Sequence, residues 1–139
     1  MREIKFRGQR EDNGEWIKGS LIQLNSGLCY ITQNIHGLHL PLTGNLLCEF
    51  THKVAPGTVG QFTGLKDKNG VEVYEGDVIS QLVTSTPTDA FSQFTIKFID
   101  GCFKKKDKGN GSPLGWVASC CIEVIGNIHE NPELLEQNA

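Results

Sequence analysis

Four groups of side chains in this sequence carry the residue types that chemistry uses. Glu72, Glu75 and Asp77 bring three carboxylates close together, and acid–base catalysis needs two carboxyls held at different pKa values in one cleft. Glu75 and Asp77 flank Gly76 and share a face of an extended chain. No nucleophile or oriented histidine accompanies them, so the expected role is structural: Asp77 accepts backbone N–H groups at the bend that Gly76 marks. Cys29, His36, His39, Cys48 and His52 form the one metal-like set, with Cys48 and His52 four apart on one strand face. Their spacings match no zinc ribbon or finger, so no metal and no other cofactor is expected.

Gly60 and Gly64 precede Lys66 in a way that invites a phosphate-loop reading. The spacing fails, because Gly60 and Gly64 enclose the wrong number of residues and Asp67 stands where a hydroxyl residue is needed. Asp67-Lys68-Asn69-Gly70 reads as a hairpin tip instead. Lys104-Lys105-Lys106-Asp107-Lys108 is the one basic run, with Phe103 before it and Trp116 after it. Aromatic rings beside a charged groove stack the bases of single strands. The competing reading is a solvated hairpin tip that keeps a sheet edge soluble.

Charge weighs against the nucleic-acid class. Thirteen basic residues against 16 acidic ones leave a net charge of −3, whereas binding by bulk electrostatics usually runs strongly basic. The longest apolar run, Leu28-Cys29-Tyr30-Ile31, falls far short of the ~20 residues of a membrane-spanning helix. The opening residues have no apolar signal region, so a cytoplasmic address without membrane contact is the expectation. The five cysteines (29, 48, 102, 120 and 121) are odd in number and contain no Cys-x-x-Cys pair. Reduced thiols follow.

The elements that must position these groups are strands. Gly is frequent, with 16 residues, and the apolar set favours Ile, Val and Phe. Ile4 and Phe6 alternate with charges, and strands are predicted over 16–24, 28–32, 46–54, 58–63, 78–83, 115–122 and 123–128. Phe94, Ile96 and Phe98 line one face of another strand, which Asp100-Gly101 turns into Cys102-Phe103-Lys104. Residues 84–89 read as a flexible excursion and 105–113 as a loop rich in lysine and glycine. Asn131 as N-cap, Pro132 at N1 and Glu133 in the first turn signal a short C-terminal helix. The expectation is an all-β chain, a small barrel or sandwich of short antiparallel strands. A Gly-Asp-hydrophobic step after a bend adds an SH3-like, barrel-type second half by analogy. Residues 1–55 form an N-terminal β subdomain, 56–130 a β-barrel-like subdomain and 131–139 a helical tail.

Three stretches, in order, carry a resemblance. They are Met1-Arg2-Glu3-Ile4-Lys5-Phe6-Arg7; Gln61-Phe62-Thr63-Gly64-Leu65-Lys66-Asp67-Lys68-Asn69-Gly70 running into Tyr74-Glu75-Gly76-Asp77-Val78-Ile79; and Val124-Ile125-Gly126-Asn127-Ile128-His129-Glu130-Asn131-Pro132-Glu133-Leu134-Leu135. Together they resemble the YopX family of bacteriophages and prophages. The resemblance implies a mainly β protein made in the cytoplasm of an infected or lysogenic bacterium, and it supplies no catalytic residues.

With no complete catalytic set, the expected function is that of a non-enzymatic accessory protein. It acts through protein–protein contact, as a homo-oligomer or on a host or phage partner. The tail supports assembly in this reading: about five to seven residues are too few for an isolated helix, so Leu134 and Leu135 need an apolar groove, here on a neighbouring subunit. The alternative is a small nucleic-acid-binding protein using Phe103, Lys104, Lys105, Lys106, Lys108 and Trp116. A third reading is an enzyme built on Glu72, Glu75 and Asp77.

The cysteine pattern generates a first test. Thiol titration in denaturant without reductant is expected to find all 5 cysteines per chain as reduced thiols, and a count near three or one in anaerobically handled protein rejects the reduced state.

Overall fold

The computed structural model describes residues 3–33, 50–83, 90–106, 112–113 and 121–136. The chain divides into two compact units, Met1–Phe62 and Thr63–Ala139.

The first unit is built on β1 (Phe6–Gln9), β2 (Trp16–Gln23), β3 (Cys29–Gln33) and β4 (Thr51–Val54). All neighbours are antiparallel, in the order β4-β3-β2-β1, and the start of β5 (Gly60–Lys66) adds to β1 through Gly60 and Gln61. Alternation decides which side is buried. Ile17, Cys29, Ile31 and Val54 form the core of this unit, with Phe6, Leu21 and Val59 packed against it. A single 3-10 turn, Pro56–Thr58, follows β4. The Thr58 hydroxyl holds it to β1, accepting the Gln9 N–H at 2.9 Å and donating to the Ala55 carbonyl at 2.6 Å.

The second unit contains the rest of β5, β6 (Glu72–Tyr74), β7 (Asp77–Val83), β8 (Ala90–Ile99), β9 (Cys102–Lys106), β10 (Ser112–Pro113) and β11 (Ile122–Asn127). Five of these form an antiparallel sheet in the order β10-β9-β8-β7-β11. The β5–β6 hairpin supplies Leu65 and Val73 to a core whose other members are Ile79, Phe94, Ile96, Ile122, Phe103 and Val124. The barrel-type half expected from sequence thus takes the form of a hairpin packed on a five-stranded sheet. At the β8–β9 hairpin, Asp100 and Gly101 both have positive φ (54° and 80°), as a two-residue turn between Ile99 and Cys102 requires.

Several expectations change. Lys104 lies in β9 as expected, and Lys105 and Lys106 continue that strand and do not begin a loop, because β8 offers a full edge to pair with and lysine stems can cover apolar surface while their ammonium groups reach water. Phe98 shares a face with Phe94 and Ile96, yet it is 52% exposed because it stands near the end of the strand. The strand expected over 46–54 is present as Thr51–Val54, while 46–49, 84–89 and 115–120 lie outside the described residues. The C-terminal helix is one turn, α1 (Glu133–Glu136). The Asn131 carboxamide oxygen is used by Asn127, whose N–H reaches it at 3.3 Å, and the Asn131 carbonyl accepts the Leu134 N–H at 3.1 Å. Cys29, Cys102 and Cys121, the described cysteines, are thiols outside any disulfide.

β11 carries a register shift between Val124 and Gly126, and the chain then folds back so that Asn131 lies on Gly126. A Cβ at Gly126 would sit 2.5 Å from Asn131 Oδ1 and 3.1 Å from its Cβ. Gly126→Ala is therefore expected to cost about 1–3 kcal/mol in urea melts, by forcing Asn131 off its Asn127 bond. An unchanged midpoint disproves this close approach.

Candidate functional site

Polar side chains that looked available for chemistry are held in backbone bonds. Asp67 is 5% exposed. Its Oδ1 accepts the N–H groups of Asn69 at 2.8 Å and Val71 at 2.9 Å, which shapes the tip of the β5–β6 hairpin. Its Oδ2 accepts the Val124 N–H at 3.0 Å. Burial pushes this carboxyl up, but those three bonds, with Lys68 beside it, outweigh burial and hold it below the ordinary carboxylate value. The neighbouring Lys68 N–H bonds the Ile122 carbonyl at 3.1 Å, and its ammonium pairs with Glu123 at 3.2 Å. The hairpin tip therefore occupies the outward backbone groups of β11, an edge strand.

Two members of the carboxylate cluster accept backbone N–H groups. Asp77 Oδ2 accepts the Tyr74 N–H at 2.7 Å and closes the β6–β7 turn. Glu75 Oε2 accepts the Phe98 N–H at 3.1 Å. Burial pushes the Glu75 carboxyl up, opposed by the Phe98 bond and by Lys97. Gly76 joins the same knot, donating to the Ile96 carbonyl and accepting the Ile128 N–H, both at 2.9 Å. Asn127 Oδ1 accepts from His129 and Glu130, each at 2.9 Å, and so shapes the turn after β11.

Register splits the basic run between two faces. Lys104 stands opposite Lys97, and Lys106 opposite Thr95, so Lys97, Lys104 and Lys106 do not all align in one row; alternation puts Lys104 and Lys106 on one side of β9 and Lys105 on the other. Lys97 joins the Lys104 and Lys106 side through its pairing with Lys104. Lys105 stands opposite Ile96 on the core side, with its Nζ 5.5 Å from the Phe94 ring centre and 3.5 Å from Gln81 Oε1. Phe103 packs on the core and meets Phe98 edge-on at 5.1 Å. Its ring is engaged within the fold. Lys108 and Trp116 lie outside the described residues.

Of the metal-like set, His36, His39 and Cys48 also lie outside the described residues. Cys29 pairs with Val54 and His52 with Ile31, which puts Cys29 and His52 on the same sheet face. No group of three or more His, Cys, Asp and Glu close enough to hold a metal occurs among the described residues. Leu134 is half-buried on its own chain, and nothing is described of the Leu135 side chain.

Two surfaces of the first unit were missed by reading for motifs. At the β2–β3 hairpin, Ile22 and Leu24 are 45% exposed and Leu28 is 37% exposed. The outward positions of β1 to β4 are Arg7, Gln9, Trp16, Lys18, Ser20, Ile22, Tyr30, Thr32, Thr51 and Lys53, as the register shows. Alternation along 16–22 was the available signal, since Ile17 and Leu21 mark the inner side and leave Trp16, Lys18, Ser20 and Ile22 on the other.

Among the described residues no helix is long and apolar enough to cross a membrane. A family model described as "YopX protein" matches residues 5–136. The "SPbeta prophage-derived uncharacterized protein YopX" of Bacillus subtilis (strain 168) is 33% identical over 72 residues, covering 48% of this chain and 52% of that protein. The aligned part thus spans about half the length of that relative. The crystal structure of protein EF1440 from Enterococcus faecalis matches with a TM-score of 0.59 at 28% identity, covering 97% of this chain and 99% of the other. The crystal structure of protein yopX from Bacillus subtilis shares the fold, with a TM-score of 0.55 at 19% identity and the same coverage.

The Asp67 geometry has a pH signature. A carboxyl whose folded pKa lies below its unfolded value of 3.8 stabilises fully above that value, and the contribution is lost as pH falls through the folded pKa. Asp67→Asn is expected to be about 1–3 kcal/mol less stable at neutral pH. The gap to wild type is expected to narrow below pH ~4 in urea melts. A gap of constant size down to the acid limit contradicts the assignment.

Proposed function

The chain belongs to the YopX family, and from that premise we propose that it is a prophage-type accessory protein that works without catalysis, by contact with protein, and first with a second copy of itself. The observation that carries this reading is the apolar end of the β2–β3 hairpin. Ile22, Leu24 and Leu28 stand exposed there, on a hairpin closed by the Leu24 N–H bond to the Leu28 carbonyl at 2.9 Å. Aliphatic side chains grouped on a rigid hairpin favour burial over solvation, at roughly 1.5–3 kcal/mol for each one fully covered. A two-fold contact uses the same patch twice, so three side chains become six in one small interface.

The absence of catalysis in this proposal is supported by where the carboxylates are used. Asp67 and Asp77 accept backbone N–H groups that shape turns, and Glu75 accepts the Phe98 N–H of β8. A host or phage protein that covers the same hairpin is the heterologous form of the same contact.

Light scattering after size exclusion, at tens of micromolar chain, tests it. The wild type is expected to elute as a dimer, and Leu24→Ser with Leu28→Ser as a monomer with unchanged circular dichroism. Leu134→Ser with Leu135→Ser is expected to remain dimeric. A monomeric wild type removes self-association, and a dimer lost only in the tail variant moves the contact from the hairpin to the tail.

A further inference from the structure

We infer that the face of β8–β9 turned away from Ile96 and Phe103 holds the phosphates of double-stranded DNA, a role separate from the self-contact proposed above. Pairing puts Lys97 directly opposite Lys104, and alternation puts Lys106 on the same face. Facing positions on paired strands have Cβ atoms about 5 Å apart, and Lys106 stands about 7 Å beyond Lys104 along β9. Thr95, Ile99 and Cys102 are the other positions of the paired stretch on this side, none of them acidic or aromatic.

Little on the chain answers the charge of these lysines. Lys97 and Lys106 are exposed, and neither makes an ion pair among the described residues. Lys97 acts on Glu75 through space, while the Glu75 carboxylate takes the Phe98 N–H. Lys104 has Asp100 at 3.5 Å, but the Asp100 side chain is 81% exposed, so water screens the pair. Like charges opposite one another weaken a strand pair. A phosphate placed over Lys97 and Lys104 bonds both ammonium groups and offsets that repulsion. Lys105 takes no part, since its ammonium lies over the Phe94 ring on the other side of the sheet.

Charge complementarity calls for an anion, and the side chains beside the lysines decide which. Single strands are held by aromatic stacking next to charge, and Phe103, the ring closest in sequence, packs on the core. A duplex keeps its bases inside and presents one negative charge per about 1.7 Å of its axis. Three lysines grouped within about 7 Å each meet a phosphate on such a surface. Contacts to phosphate carry no sequence information, so the binding is non-specific.

The test is fluorescence anisotropy of a labelled duplex of about 20 base pairs, two helical turns, titrated with the full chain over a salt series. Wild type is expected to bind at low salt, with affinity that falls as salt rises. Lys97→Ser with Lys106→Ser is expected to bind about tenfold more weakly and to lower the log–log salt slope by ~1.8, two phosphate contacts' worth. Asp100→Asn keeps a residue type that accepts positive φ. By releasing Lys104 it is expected to bind about threefold more tightly. Lys18→Ser with Lys53→Ser takes the same charge from the first unit and is expected to leave affinity unchanged. Circular dichroism confirms that each variant is folded. No binding by wild type, an unchanged slope in the Lys97 and Lys106 variant, or an equal loss in the Lys18 and Lys53 variant overturns the inference. Tighter binding of a single strand of the same length overturns it too, as does polyglutamate that competes as well as unlabelled duplex.

Discussion

A carboxylate shut away from water has to be met by donors, and Asp67 is met by backbone from two distant parts of the chain. One oxygen shapes its own hairpin through Asn69 and Val71, and the other takes the Val124 N–H across the second unit. Turn shape, hairpin position and the end of the sheet are therefore settled by one group. Unmaking any of them leaves a buried charge without its bonds, which costs more than an ordinary hydrogen bond contributes.

The same arrangement deals with an exposed edge. An edge strand presents unpaired N–H and C=O groups that invite another chain. On β11 the Ile122 carbonyl is taken by Lys68, the Val124 N–H by Asp67 and the Asn127 N–H by Asn131. Strand addition at this edge is closed off. The self-contact proposed for the apolar hairpin end of the first unit uses side chains and needs no such edge.

The residues that carry the family resemblance are largely the ones that make these bonds. Asp67, Tyr74, Gly76, Asp77, Gly126, Asn127 and Asn131 meet in turns and caps of the second unit. They identify a way of folding. The surface proposed for self-contact lies elsewhere, at the apolar end of the β2–β3 hairpin.

Local physics was legible in the sequence. Strands at 16–23, 29–33 and 77–83 show in alternation, because neighbouring side chains on a strand face opposite ways. The Asp100-Gly101 and Asn69-Gly70 turns show in residue type, because few residues tolerate positive φ. The Asp77 bond to Tyr74 spans three residues and could be read from the bend itself. What no local pattern contains is the partner. Asp67 and Val124 are 57 residues apart, and the run from Lys104 to Lys106 divides between two faces only once β8 supplies a register. The outward face of Arg7, Trp16, Lys18, Tyr30 and Lys53 is assembled from four strands, none of which is basic enough alone to draw notice. Periodicity and turn chemistry depend on neighbours in sequence and are determined by it directly, whereas register and the faces it composes depend on packing between distant segments, and only the tertiary structure decided them.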